Sequence, residues 1–188
     1  MENQSRCPWA QTSELMQTYH DQEWGKLNLN EDYLYEMMVL ESFQAGLSWE
    51  IVLKKRAAFR QAFANFEVAK VAGFTETDIA NLLQNPGIIR HRGKIEAAIN
   101  NAQILIAWHQ QGQTLGALLT ELIPASIINY PATMADVPSQ TAVAQTVAKA
   151  LKKAGFKFMG PVTTYSYLQA IGLVNDHLVS CQFKEGAK

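Results

Sequence analysis

The segment NPGIIRHRGK, residues 85–94, decides how the middle of the chain folds. It opens with an Asn-Pro-Gly turn signal, and apolar residues recur at helical spacing on both sides of it. Gly87 permits backbone conformations that other residues avoid, and a helix starting near Arg90 would direct its unpaired N–H groups at the same turn. Two further cations, Arg92 and Lys94, make the segment suited to hold a DNA phosphate without reading sequence. An ordinary helix–turn–helix connection with solvated charges is the alternative.

Helical spacing continues along the rest of the chain, and no convincing run of alternating strand residues occurs. Residues 123–140 contain three prolines and are predicted to form a loop or an irregular connection. Predicted helices begin near Glu31, at the Ser48 and Thr75 caps, near Arg90, at a Ser139 cap and at Tyr165. We therefore expect an all-α fold.

The composition is that of an ordinary globular protein. The 188 residues are 48% hydrophobic and 18% charged, which suits a single domain over residues 1–188, with or without two small lobes. No apolar run is long enough to span a membrane, and residues 1–6 lack the apolar core of a secretion signal, so a cytoplasmic protein is expected. Nothing in the sequence suggests a protein partner, and we expect a monomer.

Charge is distributed unevenly, although the net charge is only −1. Residues 1–50 hold two basic and nine acidic residues, whereas residues 51–188 hold fourteen basic and eight acidic ones. This asymmetry permits a basic face that could contact nucleic acid.

The two cysteines lie near opposite ends of the chain, and each has a histidine close by. Cys7 precedes His20 by thirteen residues, and His177 precedes Cys181 by four. A helix over residues 175–181 would place His177 and Cys181 on one face, as a chelating pair requires. Four such ligands would form a closed tetrahedral zinc site that ties the two termini together. Buried free thiols and a Cys7–Cys181 disulfide are the alternatives, and a reducing compartment disfavours the disulfide.

The segment from Leu40 to Arg56 contains an unusual set of polar and aromatic residues. Glu41 lies at an otherwise apolar helix end, where an unpaired carboxylate is costly. A Gly-Leu-Ser corner follows, in which Leu47 looks exposed. Together Glu41, Gln44 and Trp49 could recognise a flat polar ring by hydrogen bonding and stacking. A helix–helix corner with a buried, hydrogen-bonded glutamate remains the alternative.

Five strings in this order resemble the 3-methyladenine DNA glycosylase I family, a branch of the helix-hairpin-helix glycosylases. They are YHDQEWG (19–25), QAGLSW (44–49), GIIRHRGK (87–94), GFKF (155–158) and GLVNDH (172–177). The similarity runs from about Cys7 to Cys181. The chain departs from the family pattern at residues 26–30, which lack a proline, and at Ser42 and Phe43.

The resemblance implies a two-lobed, all-α fold with a hairpin lobe over about residues 45–125. The remaining N- and C-terminal segments would form a lobe that contains a structural Zn²⁺. No organic cofactor is implied. The zinc ligands would be Cys7, His20, His177 and Cys181.

The resemblance also implies a binding pocket for a damaged base. Glu41 and Tyr19 would supply hydrogen bonds, Trp49 and Trp9 would be stacking walls, and Gln44 would lie nearby. Leu47 would enter the duplex, while the hairpin with Gly87, Arg90, Arg92 and Lys94 would hold the backbone.

The implied reaction is hydrolytic excision of 3-methyladenine from alkylated double-stranded DNA, which leaves an abasic site. Such an enzyme takes the base out of the stack, and N3-methylation makes that base cationic, so its glycosidic bond is already activated. Residues 97–120 contain no Asp or Glu, and water is the expected nucleophile. A Lys94 nucleophile is the competing mechanism. Excision of another alkylated purine and a zinc-stapled module that binds damage without catalysis are the other hypotheses.

Overall fold

The computed structural model describes residues 5–184, so both ends of the predicted domain 1–188 lie outside the described residues. Within 5–184 the chain is mainly helical, and the α-helices are α1 Glu14–Gln22, α2 Glu31–Gln44, α3 Trp49–Ala62, α4 Val68–Ala72, α5 Glu76–Gln84, α6 Arg92–Gln110, α7 Leu115–Leu122, α8 Ala142–Lys153 and α9 Pro161–Ala170. Short 3₁₀ helices lie at Pro8–Thr12, Ala64–Phe66 and Met134–Asp136. The predicted helical fold is confirmed.

A small parallel ladder is the exception to the all-α prediction. Strand β1, Ile127–Ile128, pairs with strand β2, Val174–Asn175, with Ile127 opposite Val174. The ladder joins the proline-containing connection, residues 123–140, to the C-terminal segment. Each strand has only two residues, which is too short to produce an alternating pattern in the sequence.

Helix α2 lies at the centre of the molecule. Every residue from Leu34 to Phe43 is buried, and the helix packs against α3, α6, α7 and α9. A helix that is buried on all sides needs apolar residues all round, which explains why two adjacent methionines and a leucine-valine pair occur in it. The same burial encloses Glu36 and Glu41, so α2 carries two carboxyl groups into the interior.

The connection from α5 to α6 contains the turn predicted at residues 85–94. Thr75 caps the start of α5 as predicted, and it forms a capping box with Asp78. Helix α6 begins at Arg92, two residues after the predicted start, because the side chain of His91 accepts a hydrogen bond from the backbone N–H of Lys94 at 3.2 Å and thereby caps the helix.

Two other predicted helix starts were wrong. Helix α8 is capped by Thr141, whose hydroxyl accepts from Ala144 N at 3.2 Å, and not by Ser139. Helix α9 begins at Pro161, four residues before Tyr165, because proline fits the first turn of a helix, where its missing N–H costs nothing.

The two ends of the described chain meet. Gln182 N donates to Ser5 O at 3.0 Å, and Leu178 N approaches Cys7 Sγ at 3.5 Å. Residues 175–181 are not helical, because the end of β2 and a turn lie in this stretch, so a shared helix face does not bring His177 and Cys181 together.

The segment over residues 26–30, where the resemblance implied a proline that the chain lacks, crosses the end of α9. Asn28 N donates to Ile171 O at 3.0 Å, a bond that proline at position 28 would remove. A Cβ on Gly172 would lie 2.1 Å from the carbonyl carbon of Lys26, and Gly172 has a φ of +76°, so only glycine permits this crossing.

In the described part of the chain, no helix is both long and apolar enough to cross a membrane.

Candidate base-binding pocket and metal centre

A cavity of about 220 Å³ opens between α2, α9 and the N-terminal segment. It brings together all five residues predicted to contact a base, which come from four separate elements: the 3₁₀ helix Pro8–Thr12 and helices α1, α2 and α3. Its lining consists of Trp9, Tyr19, Trp24, Glu41, Gln44, Trp49, Met134, Val137, Ser166 and Gln169.

Aromatic rings form much of the wall. The Tyr19 and Trp49 rings lie 5.3 Å apart between centroids, and Trp9 lies 6.4 Å from Tyr19 and 4.9 Å from Trp24. The Nε1 atom of Trp49 is buried and has no hydrogen-bond partner within residues 5–184. A wall of this kind suits a flat ring, which can stack on indole faces.

Glu41 is the acidic group of the cavity. It is 5% exposed, and neither carboxyl oxygen is hydrogen-bonded to another described residue. Burial raises the pKa of the Glu41 carboxyl to about 8. At neutral pH the carboxyl of the free protein is therefore mostly protonated and can donate as well as accept. Burial also raises the pKa of Tyr19, with the nearby Glu41 charge as a smaller cause.

Gln44 ends α2 and has its amide orientation fixed. Its Nε2 donates to the carbonyl of Leu47 at 2.8 Å, which leaves Oε1 as the free acceptor. Leu47 itself is partly exposed and follows Gly46, whose φ is +86°. This places Leu47 on a tight corner between α2 and α3, next to the cavity.

Three of the four predicted metal ligands form a buried cluster. The ligand atoms of Cys7, His20 and Cys181 all lie within 4.8 Å of one another, and both cysteines are free thiols. His177 lies outside that 4.8 Å group, but its ring centroid is 4.7 Å from that of His20.

Both histidines are oriented as metal ligands usually are. His20 Nδ1 contacts Asp21 Oδ1 at 2.8 Å, and His177 Nδ1 contacts Asn175 Oδ1 at 3.0 Å. Each Nε2 is thereby left for a ligand, as when a second-shell oxygen fixes the tautomer. Nε2 of His177 is buried without a partner in the described part of the chain, which is the state of a ligand atom that faces an ion.

The three cations of the hairpin have different environments. Arg90 is exposed and forms no ion pair with a described residue. Arg92 is also exposed, but it pairs with Glu76 at 2.7 Å and Glu96 at 3.2 Å. Gly87 packs closely, since a Cβ there would lie 2.9 Å from that of Ala58.

Lys94 departs from its predicted surface position. It is buried, and its ammonium donates to the carbonyls of Phe43 and Ala45, both at 3.1 Å. These carbonyls lie at the C-terminal end of α2 and lack intrahelical partners, so Lys94 caps that helix. The placement disfavours a phosphate contact and instead joins the hairpin to the corner that carries Gln44 and Leu47.

The family described as methyladenine glycosylase matches residues 9–185 of this chain. The chain belongs to that family. Two curated relatives support the assignment: DNA-3-methyladenine glycosylase 1 of Escherichia coli is 42% identical over 97% of this chain and 98% of its own, and DNA-3-methyladenine glycosylase of Haemophilus influenzae is 41% identical over 96% and 98%.

Solved structures of the methyladenine glycosylase family have the same fold. A crystal structure of 3-methyladenine DNA glycosylase I superposes with a TM-score of 0.92 at 44% identity, covering 95% of this chain and 98% of the other. The Staphylococcus aureus enzyme, from a study of 3-methyladenine recognition, gives 0.89 at 36% identity over 95% and 96%. The predicted resemblance is confirmed.

Several cavity residues were not predicted from the sequence. Ser166 and Gln169 come from α9, where only their apolar neighbours gave a helical signal. Met134 and Val137 come from the connection read as a loop. Of these five residues, Trp24 alone could have been predicted, because it lies within the YHDQEWG string that carries the family resemblance.

Proposed function

We propose that this chain is a DNA glycosylase that extrudes 3-methyladenine from alkylated double-stranded DNA and hydrolyses its glycosidic bond, leaving an abasic site. The observation that carries the proposal is the cavity that combines Glu41 with Tyr19, Trp49 and Trp9. Relatives named DNA-3-methyladenine glycosylase, about 41% identical over nearly the whole chain, support it.

Extrusion of the base begins at the corner between α2 and α3. A damaged base pairs weakly and costs less to remove from the stack than an intact one. Leu47 would fill the gap in the duplex, and its partial exposure beside Gln44 at the rim of the cavity supports that role. Stacking on Trp49 and Trp9 would contribute about 1–3 kcal/mol per ring.

The cationic base supplies most of its own activation. When the bond between C1′ and the base nitrogen breaks, its electron pair passes to the base and cancels the positive charge. Water adds its oxygen to C1′ and loses a proton to solvent. Glu41 and Tyr19 hold the leaving base, and a Glu41 carboxylate would favour a cationic base over neutral adenine. Lys94 is held by two carbonyls, which supports water over lysine as the nucleophile and therefore an enzyme without a lyase step.

A structural Zn²⁺ would join the two ends of the chain, held by Cys7, His20, His177 and Cys181. This set of donor atoms fits zinc, because two thiols and two imidazoles are common ligands of tetrahedral zinc. In addition, the buried Nε2 of His177 has no hydrogen-bond partner among the described residues, so it is available to bind an ion. Bound zinc would supply folding energy and no reaction step, since all four positions would be filled.

The turn before α6 would contact the DNA backbone. Backbone N–H groups at the start of this helix and the cations Arg90 and Arg92 would hold a phosphate, as in helix-hairpin-helix proteins. We infer that residues 45–125 form a hairpin lobe, that the terminal segments form a zinc-containing lobe, and that the protein acts as a cytoplasmic monomer.

Chromatography of bases released from alkylated double-stranded DNA tests the proposal. We expect the protein to release 3-methyladenine and to leave abasic sites in the strand. If the protein retains alkylated DNA in a gel but releases no base, it is a damage-binding module and the proposed reaction is wrong.

A further inference from the structure

Helix α9 presents an amide to the base cavity that the proposed chemistry does not use. Gln169 lines the cavity, and its Nε2 donates to Asp176 Oδ2 at 2.6 Å. Because a carboxylate only accepts hydrogen bonds, the amide must direct its nitrogen towards Asp176. The oxygen Oε1 is therefore left as an acceptor, and no residue within 5–184 donates to it.

Asp176 is a rigid anchor for this amide. Its carboxylate is 1% exposed and accepts from Tyr165 Oη, from Asn129 Nδ2 at 2.7 Å and from Gln169. The backbone of Gln169 is fixed too, because its carbonyl accepts from Gly25 N at 2.9 Å. Rotation of the amide by half a turn would set its oxygen against a buried carboxylate, which is electrostatically unfavourable. The structure thus holds Gln169 in one orientation.

We propose that Gln169 is a specificity-determining residue whose Oε1 accepts a hydrogen bond from the exocyclic amino group of a 6-aminopurine lesion, and that Asp176 is its positioning residue. The inference rests on the proposed function. Adenine carries an amino donor at position 6, whereas guanine carries an oxygen acceptor there. A fixed acceptor opposite that position attracts the first and repels the second.

Glu41 cannot make this distinction by itself. A carboxyl that exists in both protonation states can accept from an amino group or donate to a 6-oxo group. The amide of Gln169 does not titrate, and Asp176 prevents it from turning. A site that is built to bond an N–H group discriminates strongly against an analogue without it, because its own polar atom is then left unpaired.

The test compares excision of 3-methyladenine and 3-methylguanine from double-stranded DNA. Gln169→Met keeps the side-chain length and leaves Asp176 with two of its three donors. We expect its kcat/KM for 3-methyladenine to fall about 10- to 100-fold, while that for 3-methylguanine stays level or rises because the repelling oxygen is gone. Gln145→Met is the matched control, since Gln145 is exposed on α8 and should leave both values unchanged.

Asp176→Asn tests the positioning role. It gives the three donors one amide oxygen in place of two carboxylate oxygens, so Gln169 can turn, and the preference for 3-methyladenine should fall by about threefold or more. Zinc content and melting temperature are measured as well, because Asp176 precedes His177. If Gln169→Met does not fold, Gln169→Asn withdraws the oxygen while retaining an amide.

Two results would overturn the inference. One is an unchanged lesion preference in the folded Gln169 variant, and the other is an equal loss on both lesions, which a structural role would produce. Failure of the proposed function looks different, because the parent protein would then release no 3-methyladenine at all.

Discussion

Replacement of Glu41 by glutamine should stabilise the protein in alkaline solution and change its stability little in acid. Burial raises the pKa of Glu41 from an ordinary 4.5 to about 8 in the folded protein. Between these values the unfolded chain loses the Glu41 proton while the folded protein keeps it. The parent therefore loses stability as pH rises from about 4.5 to about 8, and the loss is complete above pH 8. Glutamine has no proton to lose.

The magnitude follows from the size of this shift. Each pKa unit corresponds to about 1.4 kcal/mol, so the separation between the two pKa values sets an upper limit of about 5 kcal/mol. Water that enters the cavity beside an ionised carboxylate reduces the penalty. We expect the difference in the free energy of unfolding, Gln variant minus parent, to increase by about 2–5 kcal/mol between pH 5 and pH 9.

Urea unfolding at unit steps from pH 5 to pH 9 measures this difference. Groups that do not feel the Glu41 charge titrate equally in both proteins and cancel in the subtraction, including those near the metal ligands. Glu121→Gln serves as the control, because Glu121 is exposed on α7 and its difference should be flat. A Glu41→Gln difference that is also flat with pH would refute the reasoning, and Glu41 would then have to be stabilised as an anion in the folded protein.

Three other predictions concern the hairpin, the nucleophile and the metal centre. Arg90→Ala should weaken binding to damaged and undamaged duplexes alike, and it should lower the slope of log binding constant against log salt concentration by about one. Filter binding at a series of salt concentrations measures this, and a change in which base is excised would contradict it. Borohydride should trap no covalent adduct between the protein and DNA, and an adduct that disappears in Lys94→Ala would establish lysine attack. Purified protein should contain about one zinc per chain; His177→Ala should lower zinc content and melting temperature far more than it alters lesion preference, whereas unchanged zinc content would exclude His177 as a ligand.

The sequence predicted those elements whose signals are local. The capping box at Thr75, the turn at residues 85–94 and the helices α2 and α3 all follow from patterns within a few positions, although the Ser48 side chain that was predicted to cap α3 makes no hydrogen bond to that helix. The start of α6 was displaced because His91, rather than one of the usual caps, accepts the Lys94 N–H.

Sequence patterns could not predict contacts between residues that are far apart in the chain. Lys94 looks like one more surface cation, and only the packing of α6 against α2 brings it to the carbonyls of Phe43 and Ala45. Gln169 gave no signal at all, because its partner Asp176 lies beyond the end of its helix. The cavity combines side chains more than a hundred residues apart, and no local pattern records that proximity.

Single-turnover excision of 3-methyladenine by the parent, Glu41→Gln and the Glu121→Gln control tests the central claim most directly. Both variants should fold, and the first keeps the shape of the cavity but cannot ionise beside the cationic base to give it a negative charge and a second acceptor oxygen. We predict that the parent and the control release the base at equal rates and that Glu41→Gln is slower by about 10- to 100-fold. Release by Glu41→Gln at the parent's rate would show that the base is held elsewhere, and the assignment of this cavity would be wrong.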